Sequence, residues 1–255
     1  NSEEEIMLGL QPEFSWKNST ILAKASATAY NNLSAFQKQF DPEAVMFDKD
    51  GTQVFCWKDD KHACVAFRGT EPNQWSDIKA DLKIRRVKCP TGFVHRGFRD
   101  ALDEVWTDVV AWISKQKCQH VFFTGHSLGG ALATLAASRW NTVTTHLYTY
   151  GSPRVGGKKF IQSFLTRNRY RFRNNNDIVT RVPFEIFGYK HVSGEGGNFI
   201  YFDIDGNVAT KFSRWYMFKQ WWKGTFRGVS HLKVDGFSDH SMTNYYEYCK
   251  REMDK

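Results

Sequence analysis

Long hydrophobic runs and domain-boundary signals are both missing from this sequence of 255 residues. No stretch approaches the about 18 consecutive apolar residues that a membrane-spanning helix requires, so we expect no transmembrane segment. Repeats, low-complexity tracts and linkers rich in proline, glycine and serine are also missing. Hydrophobic residues make up 41% of the chain, which is enough for one sizeable core. We therefore predict that residues 1–255 form a single domain.

Metal-binding patterns are missing as well. The sequence has five cysteines, which are Cys56, Cys64, Cys89, Cys118 and Cys249. They show neither CxxC spacing nor the Cys/His spacing of zinc sites, so we expect no metal and no other cofactor. Cys56 and Cys64 lie symmetrically about the turn 58–62 and would face each other in a regular hairpin. Both a disulfide and two buried thiols fit this spacing, and we favour the thiols.

Acidic residues are in deficit. The chain has 27 Asp and Glu against 35 Lys and Arg, which gives a formal net charge of +8. A basic chain can bind nucleic acid or anionic lipid headgroups. Because the sequence contains no recognised nucleic-acid-binding motif, we expect no nucleic-acid partner.

Helical and strand periodicities alternate along the chain. We predict helices over residues 16–39, 96–116, 131–140, 156–166 and 238–252. We predict strands over residues 52–57, 63–67, 121–124, 146–150 and 170–173, the first two joined as a hairpin. Strands that alternate with helices indicate the α/β class, with a mostly parallel central sheet and helices on both faces.

The segment Gly125-His126-Ser127-Leu128-Gly129 carries the strongest chemical signal, because it matches the GxSxG nucleophile elbow. A chain that leaves a strand and enters a helix within so few residues forces strained backbone angles on the serine. Glycines two residues before and two residues after it remove side chains that would collide at this turn. The helix N-terminus supplies amide donors for a developing oxyanion. We predict that Ser127 is a catalytic nucleophile.

The base should follow the serine and the acid in chain order. The downstream histidines are His146, His191, His231 and His240. His146 lies inside a predicted strand and would be below the site. His191 lies in a predicted hairpin arm that follows soon after Asp177, which is the best candidate for the acid. His240 begins the terminal helix, beyond the last loop, and we favour it over His231.

The best candidate for the acid is Asp177. It follows the predicted strand 170–173 and a polar turn, which places it at the same edge of a parallel sheet as Ser127. The alternatives are Asp203, Asp205, Asp235 and Asp239. Asp239 adjoins His240, and adjacent residues rarely align as a pair. Asp203 and Asp205 lie on a predicted hairpin and its turn, where a solvated acid is expected.

Several ordered blocks of this sequence resemble the class 3 lipases, the triacylglycerol lipases related to those of filamentous fungi. The blocks are Ala66–Thr70, Val94–Phe98, Thr124–Ala131, Tyr150–Gly156, Asn176–Val179 and Asp239–Met242. The resemblance covers about residues 62–180 and the region around His240. It implies the α/β-hydrolase fold and agrees with Ser127, Asp177 and His240 as a triad.

Two further features are implied by the resemblance. An oxyanion hole would be formed by Thr70 and the backbone amide of Leu128. A lid would cover the site over about residues 71–88, where an amphipathic helix places apolar side chains on one stripe: Trp75, Ile78 and Leu82. An ordinary surface helix packed on the core is the alternative reading of this stripe.

The function implied by the resemblance is an ester hydrolase that cleaves acylglycerols through an acyl-enzyme on Ser127, with interfacial activation. A phospholipase A1 or galactolipase, a feruloyl-type esterase and a catalytically silent lipid-binding relative are the alternatives. The segment 211–227 mixes aromatic and basic residues, and an interfacial anchor and a buried helix fit it equally. Peripheral contact with a lipid–water interface is expected. The compartment stays open, because the start at Asn1 and the habit of the family favour secretion, whereas the odd cysteine count favours an intracellular location.

Overall fold

A mixed β-sheet forms the centre of the protein. The computed structural model describes residues 9–69, 85–175, 177–192, 197–209, 216, 219 and 240–255. The strands are β1 (Val45–Lys49), β2 (Thr52–Asp59), β3 (His62–Phe67), β4 (Arg86–Cys89), β5 (Gly92–His95), β6 (Val121–His126), β7 (Thr145–Tyr150), β8 (Gly156–Gly157), β9 (Arg169–Asn174), β10 (Tyr189–Lys190) and β11 (Asn198–Phe202).

The helices pack around this sheet. They are α1 (Trp16–Thr28), α2 (Leu33–Gln39), α3 (Arg96–Gln116), α4 (Leu128–Trp140), α5 (Lys158–Gln162) and α6 (Met242–Met253). Two short 3-10 turns, Val179–Arg181 and Glu185–Phe187, follow the end of β9. Among the described residues, no helix has both the length and the apolar character needed to cross a bilayer.

The central sheet has seven strands in the order β1-β2-β3-β6-β7-β9-β11. The first three strands pair antiparallel, and the pairs from β3 to β11 are all parallel. The carboxyl ends of β6, β7 and β9 therefore lie at one edge of the sheet, where an active site is expected in an α/β fold. A second sheet has four strands in the order β10-β8-β5-β4.

Both faces of the central sheet are covered, as the sequence predicts. Side chains that alternate along β2 separate into two cores: Val54 and Cys56 contact the core under α3 and α4. Phe55 and Trp57 contact the core under α1 and α6. This is the mostly parallel sheet with helices on both faces that the α/β-hydrolase prediction requires.

Two predicted helices are shorter in the structure than the sequence indicated. The predicted helix 16–39 is divided in two, because the Asn32 side chain accepts a hydrogen bond from the Ala35 amide and begins a new helix. The predicted helix 156–166 is reduced to Lys158–Gln162, because Gly156 and Gly157 form β8 instead. The terminal helix begins at Met242, after His240.

The hairpin of β2 and β3 corrects the expected position of two cysteines. The sequence suggested a turn centred on Asp60, but the turn is centred between Asp60 and Lys61. As a result, Cys56 pairs with Val65 and Cys64 pairs with Trp57. This register places the two sulfurs on opposite faces of the sheet, each in a different core. Both thiols are free and buried, which agrees with the favoured interpretation.

Candidate active site

The backbone of Ser127 has the strained geometry that the elbow motif predicts. Ser127 lies between β6 and α4 with φ 61° and ψ −128°, a region that residues other than glycine rarely adopt. Its amide donates to the carbonyl of Tyr150 at the end of β7, with N and O 3.0 Å apart. The turn is thus fixed against the neighbouring parallel strand at the carboxyl edge of the sheet.

Gly125 and Gly129 make this turn sterically possible. A Cβ built on Gly125 would lie 2.2 Å from the backbone carbon and oxygen of Gly129. A Cβ on Gly129 would lie 2.2 Å from the carbonyl oxygen of Phe67, the last residue of β3. Neither position has room for a side chain, because the obstructing atoms belong to the backbone. The close approach also places the first turn of α4 against the end of β3.

Asp177 and His240 form a buried pair, although they are 63 residues apart in sequence. The His240 Nδ1 donates to the carboxylate of Asp177 and lies 3.0 Å from each of its oxygens. The amide of Val179 donates to Oδ1 of the same carboxylate over 3.0 Å. The His240 side chain is 3% exposed and the Asp177 side chain is 0% exposed. The carboxylate therefore interacts with protein donors rather than with bulk water.

Gly151 connects this pair to the serine. The residue follows Tyr150, whose carbonyl binds the Ser127 amide, and has φ +60°. A Cβ at Gly151 would lie 2.6 Å from Asp177 Oδ2 and 2.9 Å from His240 Nδ1. The structure therefore brings Ser127, Asp177 and His240 to one place at the carboxyl edge of the sheet. Within the part of the chain that is described, the buried Ser127 Oγ makes no hydrogen bond.

His126 fixes the main chain of His240, a contact that the sequence analysis did not predict. Its Nε2 donates to the carbonyl of His240 over 2.6 Å, and the two imidazole rings stack with centroids 4.5 Å apart. Burial, followed by the nearby His240, lowers the pKa of His126 well below its usual value. Since the neutral ring donates through Nε2, its Nδ1 accepts the Tyr30 hydroxyl over 2.7 Å.

Tyr245 is the second contributor that the sequence analysis missed. Its hydroxyl donates to Asp177 Oδ2 and accepts the amide of Asn174 over 2.9 Å. Burial, followed by the charge of Asp177, raises the pKa of Tyr245 well above its usual value, so the hydroxyl keeps its proton. A sequence signal exists, because Met242, Tyr245 and Cys249 form the buried stripe of α6.

The alternative candidates for the base and the acid that lie within the described residues make structural contacts instead. His146 is at the amino end of β7, the edge of the sheet remote from Ser127, and burial lowers its pKa to about 3. His191 donates through Nε2 to the carbonyl of Thr180 over 2.6 Å. Asp203 accepts the amides of Asp205 and Asn207 in an exposed turn, as expected. His231, Asp235 and Asp239 lie outside the described residues.

The predicted oxyanion hole and lid are described only in part. Leu128 is the first residue of α4, so its amide has no acceptor within the helix and can serve an external oxyanion. Thr70 lies outside the described residues, as do the predicted lid side chains Trp75, Ile78 and Leu82. Of the segment 71–88, residues 86–88 belong to β4 and pair with β5. The segment 211–227 also lies outside the described residues, apart from two positions.

Comparison with known sequences gives matches to a part of this chain. The family model for Lipase (class 3) matches residues 64–187. A secreted mono- and diacylglycerol lipase 1 of Fusarium solani is 44% identical over 111 residues, which cover 40% of this chain and 33% of that protein. A lipase of Rhizomucor miehei is 34% identical over 154 residues, covering 53% of this chain and 41% of the relative. The chain thus spans less than half the length of these curated relatives.

Solved structures share the fold over a larger part of the chain. Lipase II from Rhizopus niveus superimposes with a TM-score of 0.63 and 25% identity, covering 77% of this chain and 84% of that one. The triacylglyceride lipase of Rhizomucor miehei gives a TM-score of 0.59 at 25% identity, covering 74% and 79%. Together with the family match and the strand order, these similarities establish the α/β-hydrolase fold. Residues 64–187 of the chain, which include Ser127 and Asp177, match the class 3 lipase family.

Proposed function

We propose that this protein is a serine carboxylic-ester hydrolase that cleaves acylglycerol esters, and that residues 1–255 act as one domain. The observation that carries the proposal is the convergence of three groups at one sheet edge. These groups are the strained elbow of Ser127, the His240 imidazole and the carboxylate of Asp177 that accepts its Nδ1 proton. The named relatives are lipases, which supports acylglycerols as the substrate class.

In the proposed reaction, Ser127 Oγ attacks the carbonyl carbon of the ester. The His240 Nε2 takes the serine proton and later gives it to the departing alkoxide, which leaves an acyl-enzyme. Water then attacks the acyl carbonyl with the same imidazole as base and releases the fatty acid. Asp177 keeps the Nδ1 proton in place and stabilises the imidazolium that forms in each step.

The developing negative charge on the carbonyl oxygen needs backbone donors. The amide of Leu128 at the start of α4 is the described donor, and we propose that Thr70 supplies the second. The packing of Gly129 against the carbonyl of Phe67 supports this pairing, because it holds the start of α4 against the end of β3. Loss of one such donor typically lowers kcat about a hundred- to a thousandfold.

Burial of the site supports a moving cover. Ser127 and His240 are 0% and 3% exposed, so an ester cannot reach Oγ without a rearrangement. Residues 86–88 belong to β4 and pair with β5. We therefore propose that the lid lies within residues 71–85 and includes Trp75, Ile78 and Leu82. A lid that opens at a lipid–water interface would give peripheral contact with the substrate surface.

A fluorophosphonate probe tests the proposed function. The wild-type protein is expected to become labelled covalently, because an activated serine attacks phosphorus as it attacks an ester carbon. Ser127→Ala should fold and lose all labelling. Ser138→Ala is the matched control, since this serine lies on the same helix and its Oγ donates to the carbonyl of Leu135. A folded wild-type protein that stays unlabelled in detergent would instead identify a silent lipid-binding relative.

Tyr245→Phe tests a positioning role for the hydroxyl that contacts Asp177. The substitution removes one donor to the carboxylate, and we expect kcat to fall about tenfold with KM unchanged. The acidic limb of the kcat/KM profile should move to higher pH, because a carboxylate with one donor fewer stabilises the imidazolium more strongly.

The adjacent Tyr246→Phe is the control for this prediction. The Tyr246 ring receives the Lys24 ammonium 5.0 Å from its centroid, and this contact is retained by phenylalanine. Its pH profile should match the wild-type profile. If Tyr245→Phe lowered thermal stability but left the pH profile unmoved, the hydroxyl would be purely structural.

A further inference from the structure

Two large apolar side chains project into solvent from the turn that follows Asp177. Phe184 is 55% exposed and Ile186 is 86% exposed. They flank Glu185 in the connection between the carboxyl end of β9 and β10. Single exposed apolar residues are common on protein surfaces, but two neighbours in the connection that carries Asp177 indicate contact with another surface.

The backbone of this turn is held rigidly, although its apolar side chains are exposed. The guanidinium of Arg154 donates to the carbonyls of Arg181 and Pro183 and to the carboxylate of Glu185, 3.2 Å away. The guanidinium of Arg86, on β4, donates to the carbonyl of Phe187. The turn therefore presents its apolar pair in a fixed orientation, so little conformational entropy is lost on insertion into a partner.

The charge around this turn is strongly one-sided. The four-stranded sheet, which we call the small sheet, lies within residues 85–96, 152–159 and 178–192, together with its connections and the first residues of α3 and α5. These segments contain nine Lys and Arg but a single acid, Glu185. The rest of the chain has 26 Lys and Arg and 26 Asp and Glu, given totals of 35 and 27. The formal net charge of these three segments is therefore +8, and that of the rest of the chain is zero.

The turn also lies on the catalytic side of the protein. It begins at the loop that carries Asp177, where the amide of Val179 and the hydroxyl of Thr180 bond to that residue. An apolar tip surrounded by cationic side chains matches the two layers of a bilayer surface. Apolar side chains enter the acyl boundary, and Lys and Arg meet anionic headgroups.

We propose that the small sheet, with Phe184 and Ile186 at its tip, docks the protein on the surface of an anionic phospholipid bilayer. This inference rests on the proposed function, since a lipase acts at a lipid surface, but binding to the bilayer involves no ester cleavage. The apolar pair anchors the turn, and the basic residues of the small sheet direct the catalytic side towards the membrane.

Flotation with vesicles of ether-linked phospholipids tests this proposal, because ether lipids cannot be hydrolysed. Wild-type protein should bind phosphatidylglycerol-containing vesicles at least about tenfold more tightly than vesicles of phosphatidylcholine alone, and high salt should weaken the binding. Phe184→Ser with Ile186→Ser should lower partitioning about tenfold. Equal binding to both vesicle types, or no loss in this double variant, would overturn the proposal.

Matched variants separate the docking surface from general effects of exposed residues. Val143→Ser with Leu165→Ser removes two apolar side chains that are 70% and 61% exposed at the opposite sheet edge, and should leave partitioning unchanged. Equal losses in the two apolar double variants would contradict a localised surface. Labelling of Ser127 by the fluorophosphonate probe tests the proposed function separately, since it requires no vesicle.

The charge contribution has its own pair of variants. Lys88→Ser with Lys159→Ser removes two exposed charges, one on β4 of the small sheet and one on α5, which directly follows β8, and should weaken binding about tenfold. Lys38→Ser with Lys61→Ser makes the same change of net charge at exposed positions on α2 and on the β2–β3 turn. This second pair should bind as wild type does, and an equal loss would show that net charge, rather than this surface, drives binding.

Discussion

Asp177→Asn is expected to lower kcat about ten-thousandfold while the protein stays folded. The carboxylate accepts three donors at once: His240 Nδ1, the amide of Val179 and the hydroxyl of Tyr245. An asparagine of the same shape has one oxygen and one NH₂ group, so it cannot accept from every side. Where NH₂ faces the ring, His240 must accept at Nδ1 and hold its proton on Nε2, which prevents it from taking the Ser127 proton.

Kinetics on a dissolved short-chain ester, together with thermal unfolding, measure this effect. Asp203→Asn is the control, because Asp203 accepts two backbone amides in an exposed turn and asparagine can do the same. It should keep wild-type kcat. An Asp177→Asn protein with more than about a tenth of wild-type kcat would remove Asp177 from the proposed triad.

The parts of the fold that sequence predicts are those with long, regular patterns. Helix α3 begins and ends where its stripe of apolar residues predicts, and the elbow strand and helix follow from the GxSxG spacing. Apart from the hairpin arm expected near His191, no sequence pattern predicts the strands of the small sheet. Gly156–Gly157 and Tyr189–Lys190 are only two residues long, so they carry no periodicity. Their pairing depends on contacts between distant segments, which no local pattern encodes.

The candidate site shows the same division between local and distant signals. Ser127 is recognisable from its own five-residue neighbourhood, and Asp177 from its position after a predicted parallel strand. The supporting contacts are not local, since Tyr30 lies 96 residues before His126, and Tyr245 lies 68 residues after Asp177. From sequence alone, a tyrosine on a buried helical stripe is interpreted as a core residue. Only the fold shows which polar group its hydroxyl contacts. Sequence therefore predicts the candidate reacting groups better than the groups that hold them.

The elbow itself gives the second large expected effect. Gly125→Ala should destabilise the protein by at least about 4 kcal/mol, because the new methyl group would meet backbone atoms of Gly129 and Gly130 that no rotamer can avoid. The backbone of Gly125 is not in the left-handed region, so the cost is steric rather than conformational. Relief of this steric clash requires α4 to move away from β6, and this movement displaces Ser127 and the Leu128 amide together.

Gly51→Ala separates this steric cost from a general intolerance of glycine replacement. Gly51 has φ +82° with no atom within 4 Å of a built Cβ, so alanine there costs only backbone strain of about 1 kcal/mol. Its melting temperature should fall by a few degrees, and fluorophosphonate labelling should persist. Gly125→Ala should melt far lower or fail to fold, and any folded fraction should not be labelled. Wild-type melting and labelling of Gly125→Ala would mean that the chain reaches the serine by a wider turn, in which the elbow geometry is not what activates Ser127.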